Sequence, residues 1–160
     1  MKIHLFERFF LIIAASLIGL GAIAVGVSYW TFGAHLPGPV GRLNPATTMQ
    51  TPPFDKPGLY ETGEKQYDAV LLASLWQWSP NAVGVGFEVP AGSTVTFKVA
   101  STNVIHGFMV QNTDINAMVI PGEITQVTHT FTKPGEYLIV CHEYCGLGHH
   151  QMYSKVVVTA

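Results

Sequence analysis

Charged residues are scarce in this chain of 160 residues. Asp, Glu, Lys and Arg together make up 11% of the sequence, against about 25% in a typical soluble domain. Residues 9–41 contain none of the four. The formal net charge is −2 and only eight residues are basic, so we expect no nucleic-acid partner.

The charge-free region opens with a long apolar run. Residues 9–30 read FFLIIAASLIGLGAIAVGVSYW, and a helix of that length spans about 33 Å, close to the hydrocarbon thickness of a bilayer. A cleaved signal peptide is the alternative, because Lys2 and Arg8 precede the run. The apolar core of a signal peptide is typically about 7–15 residues, which is shorter than this run. We therefore predict one retained membrane-spanning helix in contact with lipid.

The basic residues around this run predict its orientation. Lys2 and Arg8 precede the helix, and Arg42 is the first basic residue after it. Positive charge stays on the cytoplasmic side of a membrane. We therefore expect a single pass through the plasma or inner membrane, with the N-terminus in the cytoplasm and the rest of the chain on the periplasmic or outer side.

Composition divides the chain into three segments. Residues 1–32 hold the N-terminal segment and the helix, residues 33–60 form a Pro/Gly-rich linker, and residues 61–160 form a separate domain. Six of the ten prolines lie in residues 33–60. Such a composition is incompatible with a helix or a central strand, so it predicts an extended linker that lies along a surface.

The third segment has the pattern of an all-β domain. Short runs rich in Val, Ile, Thr, Tyr and Phe alternate with turns that contain Pro and Gly. About seven short strands in roughly 100 residues predict a two-sheet Greek-key sandwich. The predicted strands are 67–74, 83–89, 93–100, 105–110, 123–131, 136–140 and 153–159.

The chain has only two cysteines, and both lie in one segment near the end. Residues 141–152 read CHEYCGLGHHQM, which places two thiols, an imidazole and a thioether at Cys141, Cys145, His149 and Met152. A second candidate imidazole, His106, lies upstream. Thiolate, imidazole and thioether together are the soft donors that select copper over hard cations.

Other interpretations of these residues stay open at this point. A disulfide between Cys141 and Cys145 would close a very small loop, and two Cys with two His could hold structural zinc. His106 could be a histidine at the edge of the core, and Met152 could simply fill the core.

The segment 141–152 resembles the C-x-E-x-C-x₃-H-x₂-M signature of the binuclear copper A (CuA) centre. Val104–His106 resembles the upstream strand that supplies the first histidine. With the single N-terminal helix, the chain resembles subunit II of a heme-copper oxygen reductase, in the short form found in ba-type cytochrome c oxidases. The resemblance implies an all-β cupredoxin-like Greek-key sandwich with one N-terminal transmembrane helix.

The resemblance also implies a ligand set for two copper ions. The two thiolates bridge both metals, one histidine and the methionine complete the first, and the second histidine and a backbone carbonyl complete the second. In this sequence the ligands are Cys141 and Cys145, then His106 and Met152, then His149 and the carbonyl of Glu143. In many relatives the glutamate also reaches a magnesium ion at the contact with subunit I. Asn103 departs from the pattern, because relatives often have an acidic residue there.

The implied function is electron entry into a terminal cytochrome c oxidase. The chain would accept electrons from a soluble cytochrome c or similar donor and pass them to heme in subunit I, which would carry out oxygen reduction. Trp76 and Trp78 are candidates for electron entry, with core packing as the alternative. Phe108, Tyr144 and Leu147 are expected to cover the sulfurs. Residues 60–160 hold eight acidic and four basic residues, a balance that would attract a basic donor.

Two other functions fit the same residues. One is the electron-entry subunit of a nitric oxide reductase or nitrous oxide reductase. The other is a membrane-anchored copper-binding or copper-delivery protein without electron transfer, which would hold a single exchangeable copper ion.

Overall fold

The computed structural model describes residues 4–32, 38–81 and 83–160. The chain falls into two units, Met1–Leu36 and Pro37–Ala160. The predictions that rest on Lys2 and on residues 33–37 lie outside the described residues.

The first unit contains an α-helix, α1, from Leu5 to Phe32. At 1.5 Å per residue its 28 residues extend about 42 Å. Among the described residues it is the one helix long and apolar enough to cross a membrane, judged by length and composition. It begins four residues before the predicted run, because Glu7 and Arg8 favour helix but do not contribute to an apolar pattern.

The segment predicted as an extended linker contains regular structure. A short 3₁₀-helix runs from Pro45 to Gln50, so the expectation that this composition excludes a helix is wrong. Proline is tolerated at its first position, where the missing N–H has no helical partner, and the side chain of Asn44 accepts a hydrogen bond from Ala46 N. Phe54 is fully buried. The boundary of the linker at 33–60 stays a prediction.

In the described part of the chain, the second unit forms two β-sheets. The first sheet has the strand order β1-β9-β6-β3-β2, with β4 paired to β3, and the second has the order β5-β11-β10-β7-β8. The strands are β1 (Gly41–Arg42), β2 (Gly58–Gly63), β3 (Gln66–Ser74), β4 (Gln77–Ser79), β5 (Gly86–Pro90), β6 (Ser93–Ser101), β7 (His106–Val110), β8 (Asn116–Val119), β9 (Glu123–Phe131), β10 (Gly135–Val140) and β11 (Tyr153–Thr159).

Alternating side chains from both sheets pack into one core, which makes the unit a β-sandwich. Along β6 the buried positions alternate with half-buried ones, as a strand with one face in the core requires. Phe97 of β6 packs on Phe108 of β7, with ring centroids 5.4 Å apart. The all-β prediction is therefore confirmed, and the seven predicted strands correspond to β3, β5, β6, β7, β9, β10 and β11.

The second sheet positions the two sequence segments that hold the candidate ligands. Strand β10 lies between β7 and β11 and pairs antiparallel with both. In register, Val140 lies opposite Met109 and also opposite Tyr153. Strand β10 therefore ends opposite the second half of β7 and the beginning of β11. The residues that follow Val140 continue alongside the first half of β7, where His142 lies against Gly107, so they meet His106 and the residues before β11 at one edge.

Candidate metal centre

Donor atoms beside the ends of three strands converge at this edge of the sandwich. His106 begins β7, Cys141 follows β10, and Met152 precedes β11. The Sγ atoms of Cys141 and Cys145 are 3.8 Å apart, and Nδ1 of His106 is 3.8 Å from Sγ of Cys141. The nearest donor atoms of His106 and the two cysteines all lie within 4.8 Å of one another.

The other donors surround the same two sulfurs. Nδ1 of His149 lies 3.5 Å and Sδ of Met152 lies 3.7 Å from Sγ of Cys145. The carbonyl oxygen of Glu143 lies 3.2 Å from Sγ of Cys141. The structure thus brings together all six residues named as metal ligands, and their role as ligands stays a prediction.

The donors are shielded from solvent. His106 is fully buried, Met152 is 2% exposed, and Cys141 and Cys145 are 8% and 4% exposed. His149 is half-buried. A low-dielectric shell of this kind limits water access to the sulfurs and helps to tune any metal held there.

Backbone hydrogen bonds fix the loop from Cys141 to Met152. Cys141 N donates to the carbonyl oxygen of Met152 over 3.2 Å, which closes the loop at its base. Within it, His149 N donates to Gly146 O over 3.1 Å and Gln151 N donates to Gly148 O over 3.0 Å. The first bond closes the turn that precedes a 3₁₀-helix at His149–Gln151, and the second belongs to that helix. The turn and the helix bring His149 and Met152 both close to Cys145.

Asn103 orients the imidazole of His106. Its Oδ1 lies 3.1 Å from Nε2 of His106 and also accepts a hydrogen bond from Val104 N over 2.7 Å. Because Oδ1 is an acceptor, it favours the tautomer in which Nε2 carries the proton. Nδ1, which faces Cys141, then keeps a free lone pair and can bind a metal.

The environment shifts the pKa of two candidate ligands. Burial, together with the nearby His149, lowers the pKa of His106 to about 4, so its imidazole is neutral at neutral pH and suited to ligation. Burial, together with the nearby Cys141, raises the pKa of Cys145 to about 11. A metal ion that binds Cys145 must therefore displace a proton.

The donor chemistry decides among the interpretations left open by the sequence. Both cysteines are free, so the disulfide alternative is wrong. Zinc sites use Cys, His and carboxylate ligands, whereas here a buried thioether lies 3.7 Å from a thiol sulfur. Two thiols, two imidazoles and a thioether form the softer set that suits copper. The residues present therefore fit the metal that the sequence predicts.

The two tryptophans occupy different environments. Trp78 is fully buried, and its ring lies 5.3 Å from Phe108 and 6.2 Å from His106 between centroids. Trp76 is half-buried, and its indole N–H donates to the carbonyl oxygen of Cys145 over 3.3 Å. Trp78 is part of the core, whereas Trp76 contacts the ligand loop directly.

One expectation about the cover of the sulfurs is only partly correct. Phe108 is fully buried, as expected, but Tyr144 is 76% exposed and Leu147 is 85% exposed. Both lie on the outer side of the loop, because the loop turns its sulfur donors inward. Val104 and Ile105 are also exposed, so the centre has apolar side chains on the surface around it.

Comparisons with known proteins identify the family. A family profile described as "Cytochrome C oxidase subunit II, periplasmic domain" matches residues 77–160. The chain is 39% identical to a cytochrome c oxidase subunit 2 of Thermus thermophilus over 148 residues, which cover 91% of this chain and 86% of that protein. This chain belongs to the cytochrome c oxidase subunit II family.

Solved structures agree with membership in the subunit II family. A heme-copper terminal oxidase dimer contains a chain that matches with a TM-score of 0.69 and 30% identity, covering 95% of this chain and 98% of that one. The periplasmic domain of subunit II from Bradyrhizobium japonicum matches with a TM-score of 0.52 and 20% identity, over 57% and 83% of the two chains, and shows the likeness of fold alone. The predicted family and the cupredoxin-like sandwich are confirmed, and a subunit II implies a partner subunit I in an oxidoreductase complex.

Proposed function

We propose that this subunit II accepts electrons at a binuclear copper centre and passes them to heme in subunit I. Its source of electrons would be a soluble donor such as cytochrome c. The observation that carries the proposal is the convergence of two thiols, two imidazoles and a thioether around one buried point. Those donors fit copper, and the family is that of an oxidase subunit.

The contacts support one ligand set. Cys141 and Cys145 would hold both copper ions, because their sulfurs lie side by side at the centre of the cluster. The remaining donors, two imidazoles, a thioether and a carbonyl oxygen, would complete the two metals. These are His106, His149, Met152 and the backbone carbonyl of Glu143.

The chain provides a rigid metal-binding site from which water is excluded. When bound, a pair of copper ions would supply fast electron transfer at low driving force, because one unpaired electron spread over both metals would change their bond lengths little. Strand ends hold His106, Cys141 and Met152, and positions fixed by a sheet resist movement better than those in free loops. Burial of the thiols excludes water.

The exposed apolar side chains support docking of partners close to the centre. Tyr144 and Leu147 are largely exposed on the ligand loop, and Val104 and Ile105 are exposed beside His106. Apolar contact near the metal would shorten the path of the electron, and the acidic surface elsewhere would attract a basic donor. Trp76 is the better placed candidate for electron entry, because Trp78 is fully buried.

The helix α1 supports a membrane anchor. Its length and apolar composition would keep the copper centre near the heme-bearing subunit I. We infer that the N-terminus is cytoplasmic and that the copper domain is periplasmic. Protease treatment of sealed cells and of inverted vesicles tests this, because the domain should be cleaved only from outside.

Magnesium binding is a separate part of the proposal. The side chain of Glu143 is about half exposed, and its Oε1 lies 3.7 Å from Nδ1 of His142. Its carboxylate is therefore available to a magnesium ion at the contact with subunit I, where hard oxygen ligands suit that metal. Metal analysis of the whole oxidase that finds no magnesium would remove this part.

Copper content and electron spin resonance of the full chain in detergent test the copper centre. We expect two copper ions per chain and a hyperfine pattern from one electron shared equally by two nuclei. Cys145→Ser should abolish that pattern. Met152→Leu should retain the fold, because the two side chains have similar volume, but should change the reduction potential. A single exchangeable copper with a mononuclear pattern would instead support a copper-delivery protein.

A further inference from the structure

Trp76 makes a close and specific contact with the loop that carries the second cysteine. It lies in the turn between β3 and β4, 69 residues before Cys145, and its indole N–H donates to the Cys145 carbonyl oxygen over 3.3 Å. The bond holds the backbone of a proposed ligand rather than its side chain.

The ring of Trp76 also lies against the backbone beyond Cys145. A Cβ atom added at Gly148 would lie 2.5 Å from Cδ2 and 2.7 Å from Cε3 of the indole, and one added at Gly146 would lie 3.1 Å from Nε1. The contacted atoms belong to a rigid fused ring, so a small side-chain rotation cannot relieve the overlap. The two glycines of the sequence Cys-Gly-Leu-Gly-His therefore leave room for Trp76.

These contacts lie along the span between two proposed ligands. Trp76 contacts Cys145, Gly146 and Gly148, and the bond from His149 N to Gly146 O also fixes this span. The separation of Cys145 Sγ and His149 Nδ1, 3.5 Å, depends on this short stretch of backbone. We propose that Trp76 is a positioning residue of the metal centre, which fixes the loop between Cys145 and His149 and so sets the geometry of those two ligands.

The positioning role proposed for Trp76 differs from electron entry. It rests on the proposed copper centre. A tryptophan that served only as an entry point would affect the rate of transfer from the donor and leave the metal unchanged. A positioning residue affects the metal itself, even in the absence of any donor. Partners outside the ligand shell that orient ligands typically contribute about 10–100-fold to metal affinity.

The test uses three variants of the full chain in detergent. Trp76→Leu removes both the aromatic ring and the indole N–H. Trp76→Phe keeps an aromatic ring without the N–H, and Gly148→Ala keeps Trp76 but displaces its ring. The measurements are the copper hyperfine splitting in electron spin resonance and the retention of copper against a chelator. We expect Trp76→Leu and Gly148→Ala to lose about 10–100-fold in copper retention with altered splitting, and Trp76→Phe to lose less.

Two matched controls should leave splitting and retention unchanged. Gln77→Ala alters the exposed neighbour of Trp76, and Gly38→Ala adds a Cβ where nothing lies within 4 Å. Amide hydrogen exchange of the metal-free chain gives a further measurement, since residues 145–149 should exchange faster in Trp76→Leu and at the normal rate in Gln77→Ala. If Trp76→Leu fails to fold, Trp76→Phe and Gly148→Ala still decide the question.

The outcomes separate this inference from the proposed function. A wild-type chain without the shared-electron pattern would overturn the copper centre, and the inference with it. A wild-type chain that shows the pattern, with variants that keep the same splitting and copper retention but transfer electrons slowly from a donor, would overturn the positioning role alone.

Discussion

Asn103 illustrates how much a single uncharged side chain contributes at this centre. Its Oδ1 lies 3.1 Å from Nε2 of the buried His106 and accepts a second bond from Val104 N. The sequence alone marks the position only as a departure from an acidic residue in relatives. The structure shows that the amide still supplies the acceptor, so orientation of His106 is retained without a negative charge.

Asn103→Asp should lower the reduction potential of the centre. A carboxylate bound to the His106 imidazole stabilises positive charge nearby, and therefore stabilises the oxidised state. A redox titration of the full chain measures the change. Asn103→Leu is the control for the loss of the acceptor, and it should cost about 1–3 kcal/mol of stability because a buried N–H is left unpaired. A potential that Asn103→Asp leaves unchanged or raises would contradict the argument.

The burial of His106 predicts a pH dependence for the metal-free chain. Burial and the nearby His149 lower its pKa to about 4 in the folded state, whereas an unfolded histidine has a pKa of about 6.5. The unfolded chain therefore binds a proton between these values and the folded chain does not. The stability is fully present above about pH 6.5, falls with pH at up to about 1.4 kcal/mol per unit, and levels off below about pH 4.

Denaturant unfolding of the metal-free β unit within the full chain, followed at a series of pH values, measures this slope. His106→Gln should reduce it, because the amide does not titrate. Parallel curves for the wild type and His106→Gln would show that His106 does not cause the acid sensitivity.

At the scale of elements, the ends of three adjacent strands determine the centre. His106 begins β7, Cys141 follows β10 and Met152 precedes β11. The loop between them is closed by the bond from Cys141 N to Met152 O and shaped by the 3₁₀-helix at His149–Gln151. The loop therefore depends on its length as well as on its composition.

Insertion of one glycine between Leu147 and Gly148 should abolish the shared-electron spectrum but leave the sandwich folded. Lengthening a surface loop by one residue costs only a few tenths of a kcal/mol in closure entropy, whereas it shifts His149 relative to Cys145 and disrupts the short helical turn. Circular dichroism and electron spin resonance measure the two effects. The same insertion at the Lys133–Gly135 turn, far along β10 from the loop, is the control. Retention of the two-copper pattern in the loop variant would contradict the dependence of the centre on the length of this loop.

The strands themselves were predictable where their pattern was long and regular. The run at 93–100 alternates polar and apolar residues and forms β6, and the run at 123–131 coincides with β9. The shorter strands β4 and β8 were missed, because three or four residues carry too little pattern to distinguish a strand from a loop. Strand β2 (Gly58–Gly63) crosses the predicted boundary between linker and domain and was not predicted as a strand, since its pairing with β3 depends on a partner that the local sequence does not specify.

At the scale of the whole molecule, charge predicts how a donor approaches. Residues 60–160 hold eight acidic and four basic residues, and ion pairs engage Lys98 with Asp68 and Lys155 with Glu136. Pairing removes acids and bases equally, so the excess of negative charge remains. Such a surface attracts a basic protein over distances of about the Debye length.

Electron transfer from a basic cytochrome c to the whole oxidase should therefore slow as salt is added. Between about 0.01 M and about 0.15 M ionic strength the Debye length falls from about 30 Å to about 8 Å, and the second-order rate constant should fall roughly 10-fold or more. Stopped-flow kinetics measures this rate constant. An acidic electron donor is the control, because its rate constant should rise as salt is added. A rate constant independent of salt would show that apolar contact alone governs docking.

The sequence by itself determined which side chains can serve as metal ligands, the spacing of four of these ligands and the presence of an apolar helix. These properties are local. Residues 141–152 lie within one loop, and an apolar run can be recognised without knowing which element it packs against. Tertiary structure decided how His106 reaches Cys141 across 35 residues and why Tyr144 and Leu147 face outward. It also placed Trp76 on the glycines of the ligand loop. Those arrangements depend on which strands pair and which faces meet in the core, and no local pattern encodes them.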